Sequence, residues 1–164
     1  MSDSRPGRWK PVLVAFGAAL VVAGLGGAAT DVGPWYQALV KPAWQPPDWL
    51  FARAWTLIYA LTALAAVSAW VAAPKGRPRT RIVFVFALNA FLNVLWSQLF
   101  FGLRRPDWAL LEVVLLWASV LLLMVVVRRH SARAVWLLVP YLLWVSFAAF
   151  LNYTVVRLNA PFAG

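Results

Sequence analysis

Charged residues are sparse along this chain and sit in short clusters, and the intervals between the clusters carry the first prediction. Residues 11–30 lie between Lys10 and Asp31, 54–74 between Arg53 and Lys75, 82–103 between Arg81 and Arg104, 108–127 between Asp107 and Arg128, and 134–156 between Arg133 and Arg157. A helix needs about 20 apolar residues to cross the hydrocarbon of a bilayer, and charge buried there is costly. Glu112 alone interrupts these runs. Leu, Ala and Val follow one another without strict alternation, which favours helices over barrel strands. The pattern predicts an all-α integral membrane protein, a bundle of five transmembrane helices over approximately 11–30, 48–74, 80–103, 107–128 and 134–157. They form a single domain, with a partly helical loop over 31–47 between the first two. The small residues Gly24 to Thr30 resemble a signal-peptidase site, but the apolar run is about twice a signal core, so a retained helix is expected. Gly24 and Ala28 have the small-xxx-small spacing for close helix approach.

The loop breaks the pattern in another way. Residues 31–53, DVGPWYQALVKPAWQPPDWLFAR, hold four Pro, three Trp and a Tyr, which makes a stiff, amphipathic segment and not a solvated tether. Pro34 suits a helix N1 position, and Pro42 should end a short helix over Trp35 to Val40. Asp48, after Pro46 and Pro47, is placed to favour the start of the second span through the helix dipole. Such aromatics could simply lie in the headgroup layer, as interfacial Trp often does.

Composition narrows the function. Hydrophobic residues make up 63% of the chain and charged ones 12%, which leaves no room for a separate soluble domain. The net charge of +10 comes from clusters between apolar runs, so it reads as topology signal and anionic-lipid contact, not nucleic-acid binding. With no Cys, disulfides, thiolate metal sites and thiol nucleophiles are excluded. Ten of the fifteen cations, Arg5, Arg8, Lys10, Lys75, Arg77, Arg79, Arg81, Arg128, Arg129 and Arg133, share one side. The positive-inside rule then puts the N-terminus in the cytoplasm and the C-terminus outside.

Three helical faces combine polarity with aromatic or small residues: Trp55, Tyr59 and Thr62; Asn89, Asn93 and Ser97; and Tyr141, Trp144, Ala148 and Asn152. Asn in lipid is costly, so Asn89 and Asn93 should point inward, either to hydrogen-bond between helices or to meet a ligand. Trp55 and Trp144 would serve packing or offer large π surfaces to a flat molecule. His130, the only histidine, lies in the basic Arg128-Arg129-His130-Ser131 turn, where a headgroup-facing cation is the commoner role than a haem ligand; no metal site is expected. Glu112 is expected to be stabilised by Arg104 or Arg105 and the helix dipole. Leu151, Tyr153 and Arg157 fit a loose sterol-binding pattern that is also common at helix ends.

Several blocks resemble the TspO/MBR family of tryptophan-rich sensory and translocator proteins. They are Trp35-Tyr36-x-x-Leu39-x-Lys41-Pro42-x-Trp44-x-Pro46-Pro47 in the loop, Trp55-Thr56-x-x-Tyr59, Asn89-x-x-x-Asn93-x-x-Trp96-Ser97-x-x-Phe100-Phe101-Gly102, and Pro140-Tyr141-Leu142-x-Trp144-x-x-Phe147-Ala148 with Leu151-Asn152 and Leu158-Asn159. The resemblance implies a five-helix bundle, usually dimeric; a bacterial cell membrane is the expected setting. Its loop-capped pocket would take porphyrins such as protoporphyrin IX or haem, and in some members sterols or synthetic isoquinoline and benzodiazepine ligands. It assigns ligand contact to Trp35, Tyr36, Trp44, Pro46, Trp49, Trp55, Tyr59, Asn89, Asn93, Tyr141, Trp144 and Ala148, with Lys41 available to propionates. It also implies that Trp55 and Trp144 match the tryptophans of porphyrin-degrading members. Conventional catalysis lacks a residue set here, and a channel or secondary transporter would need intramembrane charges or broken repeats that the sequence does not present.

Overall fold

The computed structural model describes residues 9–162. Arg5 and Arg8, counted above toward the cytoplasmic side, lie outside the described residues. The chain forms α1 (Trp9–Ala29), α2 (Pro34–Ala38), α3 (Asp48–Ala72), α4 (Arg77–Ser97), α5 (Pro106–Val127) and α6 (Ala132–Asn159), with no strand among the described residues. A π-helical turn over Gln98–Gly102 prolongs α4. All but α2 are long and apolar enough to cross a membrane, as the charge spacing predicts.

Local chemistry sets the helix ends. Pro34 opens α2, Pro106 opens α5, and Asp48 and Asp107 stand in the first turns of α3 and α5, where the dipole favours an acid. Ser131 caps α6, its hydroxyl accepting a hydrogen bond from the Ala134 amide at 3.1 Å. Gly76 precedes α4 with φ of 91°, a conformation that strains any residue bearing a Cβ, and an added Cβ there meets nothing within 4 Å. Gly76→Ala is therefore expected to cost about 1 kcal/mol through the backbone alone, read as a lower melting temperature of the purified protein.

The spanning helices alternate in direction and close into a ring: α1 against α3, α3 against α6, α6 against α5, α5 against α4, and α4 back to α1. Because lipid tails are as apolar as Leu, packing rests on small residues and interhelical hydrogen bonds. Ala65 and Ala69 of α3, Ala109 of α5 and Ala134 of α6 are fully buried, while Leu111, Leu143 and Trp136 point outward. Helix α1 buries only Gly26 and Ala29, at its C-terminal end. A Cβ on Gly26 would lie 3.6 Å from the Tyr59 hydroxyl and 3.8 Å from Ser97 Oγ, so this is where α1 meets α3 and α4.

Three expectations need correction. The close approach of α1 uses Gly26 and Ala29, whereas Gly24 and Ala28 are exposed: the rotation per residue carries those two onto another face. The loop helix ends at Ala38, before Val40, because Leu39 turns extended (φ −64°, ψ 135°) and Val40 gives its backbone groups to Asn159. Glu112 pairs with neither arginine. Arg105 is taken by the nearer Asp107, Arg104 turns its guanidinium toward Trp35 through a left-handed backbone (φ 55°), and both Glu112 oxygens are buried without a hydrogen-bond partner among the described residues.

Candidate functional site

Loop 31–47 folds over the end of the bundle and is held there at both ends of the sequence. Asn159, the last residue of α6, accepts from the Val40 amide through Oδ1 and donates to the Val40 carbonyl through Nδ2, both at 2.8 Å. Tyr36 donates to Asp48 at 3.4 Å and accepts from Gln45 at 3.2 Å, which ties the loop helix to the start of α3. Burial, and then the charge of Asp48, push the Tyr36 hydroxyl above its ordinary value, so it remains a neutral donor. The Lys41 ammonium lies 3.8 Å from the centre of the Tyr36 ring.

Beneath the loop is a cavity of about 610 Å³, bounded by the C-terminal end of α1, the loop, the first three turns of α3, the end of α4 with its π-helical turn, and the last half of α6. Its aromatic walls come from Tyr36, Trp49, Phe51, Trp55, Tyr59, Trp96, Phe100, Phe101 and Trp144. Trp144 packs on Phe51 at 5.6 Å and Phe147 at 5.3 Å, and Trp55 stacks on Tyr59 at 5.4 Å. The Trp144 indole N–H is buried and has no acceptor among the described residues. Lys41, Gln45 and Asp48 supply polar groups on the loop side.

The structure divides the residues singled out in sequence. Tyr36, Trp49, Trp55, Tyr59, Trp144 and Ala148 line this cavity together with Ser97 and Asn152. Trp35 instead packs edge-on against Phe100 at 6.3 Å, and Trp44 lies on the outside, stacked on Phe150 at 5.2 Å; neither they nor Pro46 line it. Asn89, Asn93 and Tyr141 line a second cavity, of about 720 Å³, on the other side of a hydrogen-bonded partition. In that partition the Tyr59 hydroxyl donates to Asn93 Oδ1 (2.7 Å), Asn93 Nδ2 to the Tyr141 hydroxyl (3.2 Å), Tyr141 to Asn89 Oδ1 (3.1 Å), and Asn89 Nδ2 to Ser119 (2.8 Å). The chain joins α3, α4, α6 and α5, each bond contributing about 0.6 kcal/mol in a membrane. Tyr59 alone among these faces both cavities.

Leu151 points into the loop-side cavity while Tyr153 and Arg157 are exposed, so the three residues of the sterol pattern do not share a face. His130 sits in the α5–α6 turn, at the end of the bundle away from the loop.

Sequence reasoning missed Phe51, Trp96, Phe100 and Phe101 as cavity walls, and Asn159 as the fastener of the loop. Phe51 was accessible, being one turn before Trp55 on the same face as Tyr59. Asn152 accepts from the Trp96 indole at 3.2 Å and donates to the Pro106 carbonyl at 2.9 Å, which fixes one wall against α5.

These features define a five-helix membrane bundle with an aromatic cavity closed by its first loop. The chain belongs to the TspO/MBR family, whose sequence model matches residues 12–158. It is 45% identical over 129 residues to the tryptophan-rich protein TspO of Chlorobaculum tepidum, covering 76% of this chain and 79% of that one. A tryptophan-rich protein TspO of Archaeoglobus fulgidus is 40% identical over 151 residues, 90% of this chain and 97% of its own. The translocator protein of Sus scrofa is 36% identical over 126 residues, 76% and 75%.

Proposed function

We propose that this protein is a membrane receptor for a tetrapyrrole such as protoporphyrin IX or haem, held in the cavity beneath loop 31–47 for sensing or for transfer across the membrane. The observation that carries this reading is the cavity's wall, in which Trp49, Phe51, Trp55, Trp96 and Trp144 offer ring surface around a volume within the range of small-molecule sites. Burial of a flat macrocycle against these rings supplies affinity, the Trp144 N–H offers a donor that no group among the described residues uses, and Lys41 at the loop can meet a propionate. The family's sensory and translocator names agree with a receptor role. The distribution of cations supports a cytoplasmic N-terminus, and a homodimer in a bacterial membrane is part of the same reading.

A second reading has one observation in its favour: Trp55 and Trp144 line the same cavity, where both could take part in light- and oxygen-dependent breakdown of a bound porphyrin. Illumination separates the two. Protoporphyrin IX is added to the purified protein in air and its absorbance is followed under visible light and in the dark. A receptor bleaches its porphyrin no faster than the free-porphyrin control. Faster bleaching that disappears in the Trp55→Phe/Trp144→Phe double variant assigns the chemistry to the tryptophans.

A further inference from the structure

We propose that the second cavity, a wedge between α1, α3 and α4 at the end away from the loop, is a separate site that holds one anionic glycerophospholipid, its phosphate at Lys10 and Arg79 and one acyl chain in the wedge. The shape follows from α1. This helix is fully buried only at Gly26 and Ala29, where it closes on α3 and α4, and its N-terminal half is at most partly covered by them. The space left is lined by Ala15, Ala18 and Ala19 of α1, Ala66 of α3 and Ala87 and Ala90 of α4. Val14 and Val83, which are 72% and 54% exposed, also line it, so the wedge is open sideways toward lipid.

Charge selects the occupant. Lys10 and Arg79, in the first turns of α1 and α4, are the charged residues of the lining, and no acid lies among them. Among the described residues, Asp31, Asp48 and Asp107 stand at the loop end and Glu112 within α5. Arg79 is held in place, its Nε donating to the Ala73 carbonyl at 3.1 Å and its guanidinium 5.0 Å from the Trp70 ring, which leaves its terminal amino groups for an anion. A basic pocket between spanning helices suits a phosphate headgroup, and a laterally open cleft lined largely by Ala and Val suits a chain. A macrocycle fits less well, because Arg79 already covers the Trp70 ring and most of the lining is Ala and Val.

The test is native mass spectrometry of the intact protein released from detergent, with phosphatidylglycerol and phosphatidylcholine of identical chains added in equal amounts. Wild type is expected to retain one phosphatidylglycerol in preference to phosphatidylcholine. The double substitution Lys10→Gln/Arg79→Gln should lower that preference by about tenfold. Ala66→Phe/Ala90→Phe, which fills the wedge and leaves the charges, should lower retention of both lipids, with folding followed by circular dichroism and the charge variant standing in if this one unfolds. Ala148→Trp, in the other cavity, should leave retention unchanged. Equal retention of the two lipids by wild type, or undiminished retention by the folded wedge-filled variant, overturns the proposal. So does a wedge-filled variant that keeps the lipid and loses protoporphyrin IX, or one that keeps the lipid and loses a dimer; these would assign the wedge to a macrocycle or to a second copy.

Discussion

Trp144→Ala is expected to weaken protoporphyrin IX binding by about thirtyfold or more, read from the shift of porphyrin absorbance on titration. The size is that of truncating an aromatic anchor in a desolvated site, about 2 kcal/mol. Trp144 fills one wall of the loop-side cavity and braces Phe51 and Phe147, so its removal takes away contact area and loosens two neighbours. Trp144→Phe separates ring from donor. It keeps most of the π surface and loses only the buried N–H, so binding should fall by about fivefold, the worth of one hydrogen bond. Equal binding by wild type and Trp144→Phe would mean that this donor faces no ligand acceptor.

Asn159→Leu should release the loop. The side chain of Asn159 makes two hydrogen bonds to the backbone of Val40 across 119 residues of sequence, and among the described residues no other side chain bonds the Val40 backbone. Their loss leaves the bundle intact and shifts the loop toward open conformations, which lowers the fraction of protein ready to hold a ligand. Porphyrin affinity should fall by about tenfold, mostly through faster dissociation, and hydrogen exchange at Val40 should accelerate by a similar factor. Asn159→Asp keeps the acceptor for the Val40 amide and should fall between the two. If Asn159→Leu binds with unchanged kinetics, the loop is no lid.

How much of this was legible in the sequence depends on the range of the interaction. Charge spacing alone located the spanning helices, because the cost of burying Lys, Arg or Asp in lipid acts on each residue separately. Pro34 and Asp48 announced helix starts for equally local reasons, and the four-residue spacing of Trp55 and Tyr59 put them on one face. The partition between the cavities was not legible. Asn89 and Asn93 were correctly read as inward, but they stand two turns and one turn further from the loop than Ser97 on a helix that lines both cavities, and where the partition crosses the bundle depends on contacts between helices that spacing along one span does not show. The structure sends their polar atoms to Tyr59, Tyr141 and Ser119 and sets them on the far side from Trp144. The π-helical turn was hidden too. The Leu103 amide reaches the Gln98 carbonyl at 2.8 Å, one residue further than in an α-helix, and that extra residue sets the directions of Phe100 and Phe101. Glu112 is buried within α5, outside both cavities and without a hydrogen-bond partner among the described residues.

The central claim is that a porphyrin binds inside the bundle beneath the loop and not on its aromatic exterior, where Trp44, Trp108 and Trp136 are exposed. Ala148→Trp tests this most directly, since Ala148 lines the cavity on α6 one turn beyond Trp144 and an indole there occupies the space while leaving every exposed Trp in place. Wild type and variant, matched for melting temperature, are titrated with protoporphyrin IX under the same conditions. Saturable binding by wild type that weakens by about tenfold or more in Ala148→Trp is the predicted result. Saturation of both proteins at the same concentration of porphyrin would contradict it and move the site to the outside of the bundle.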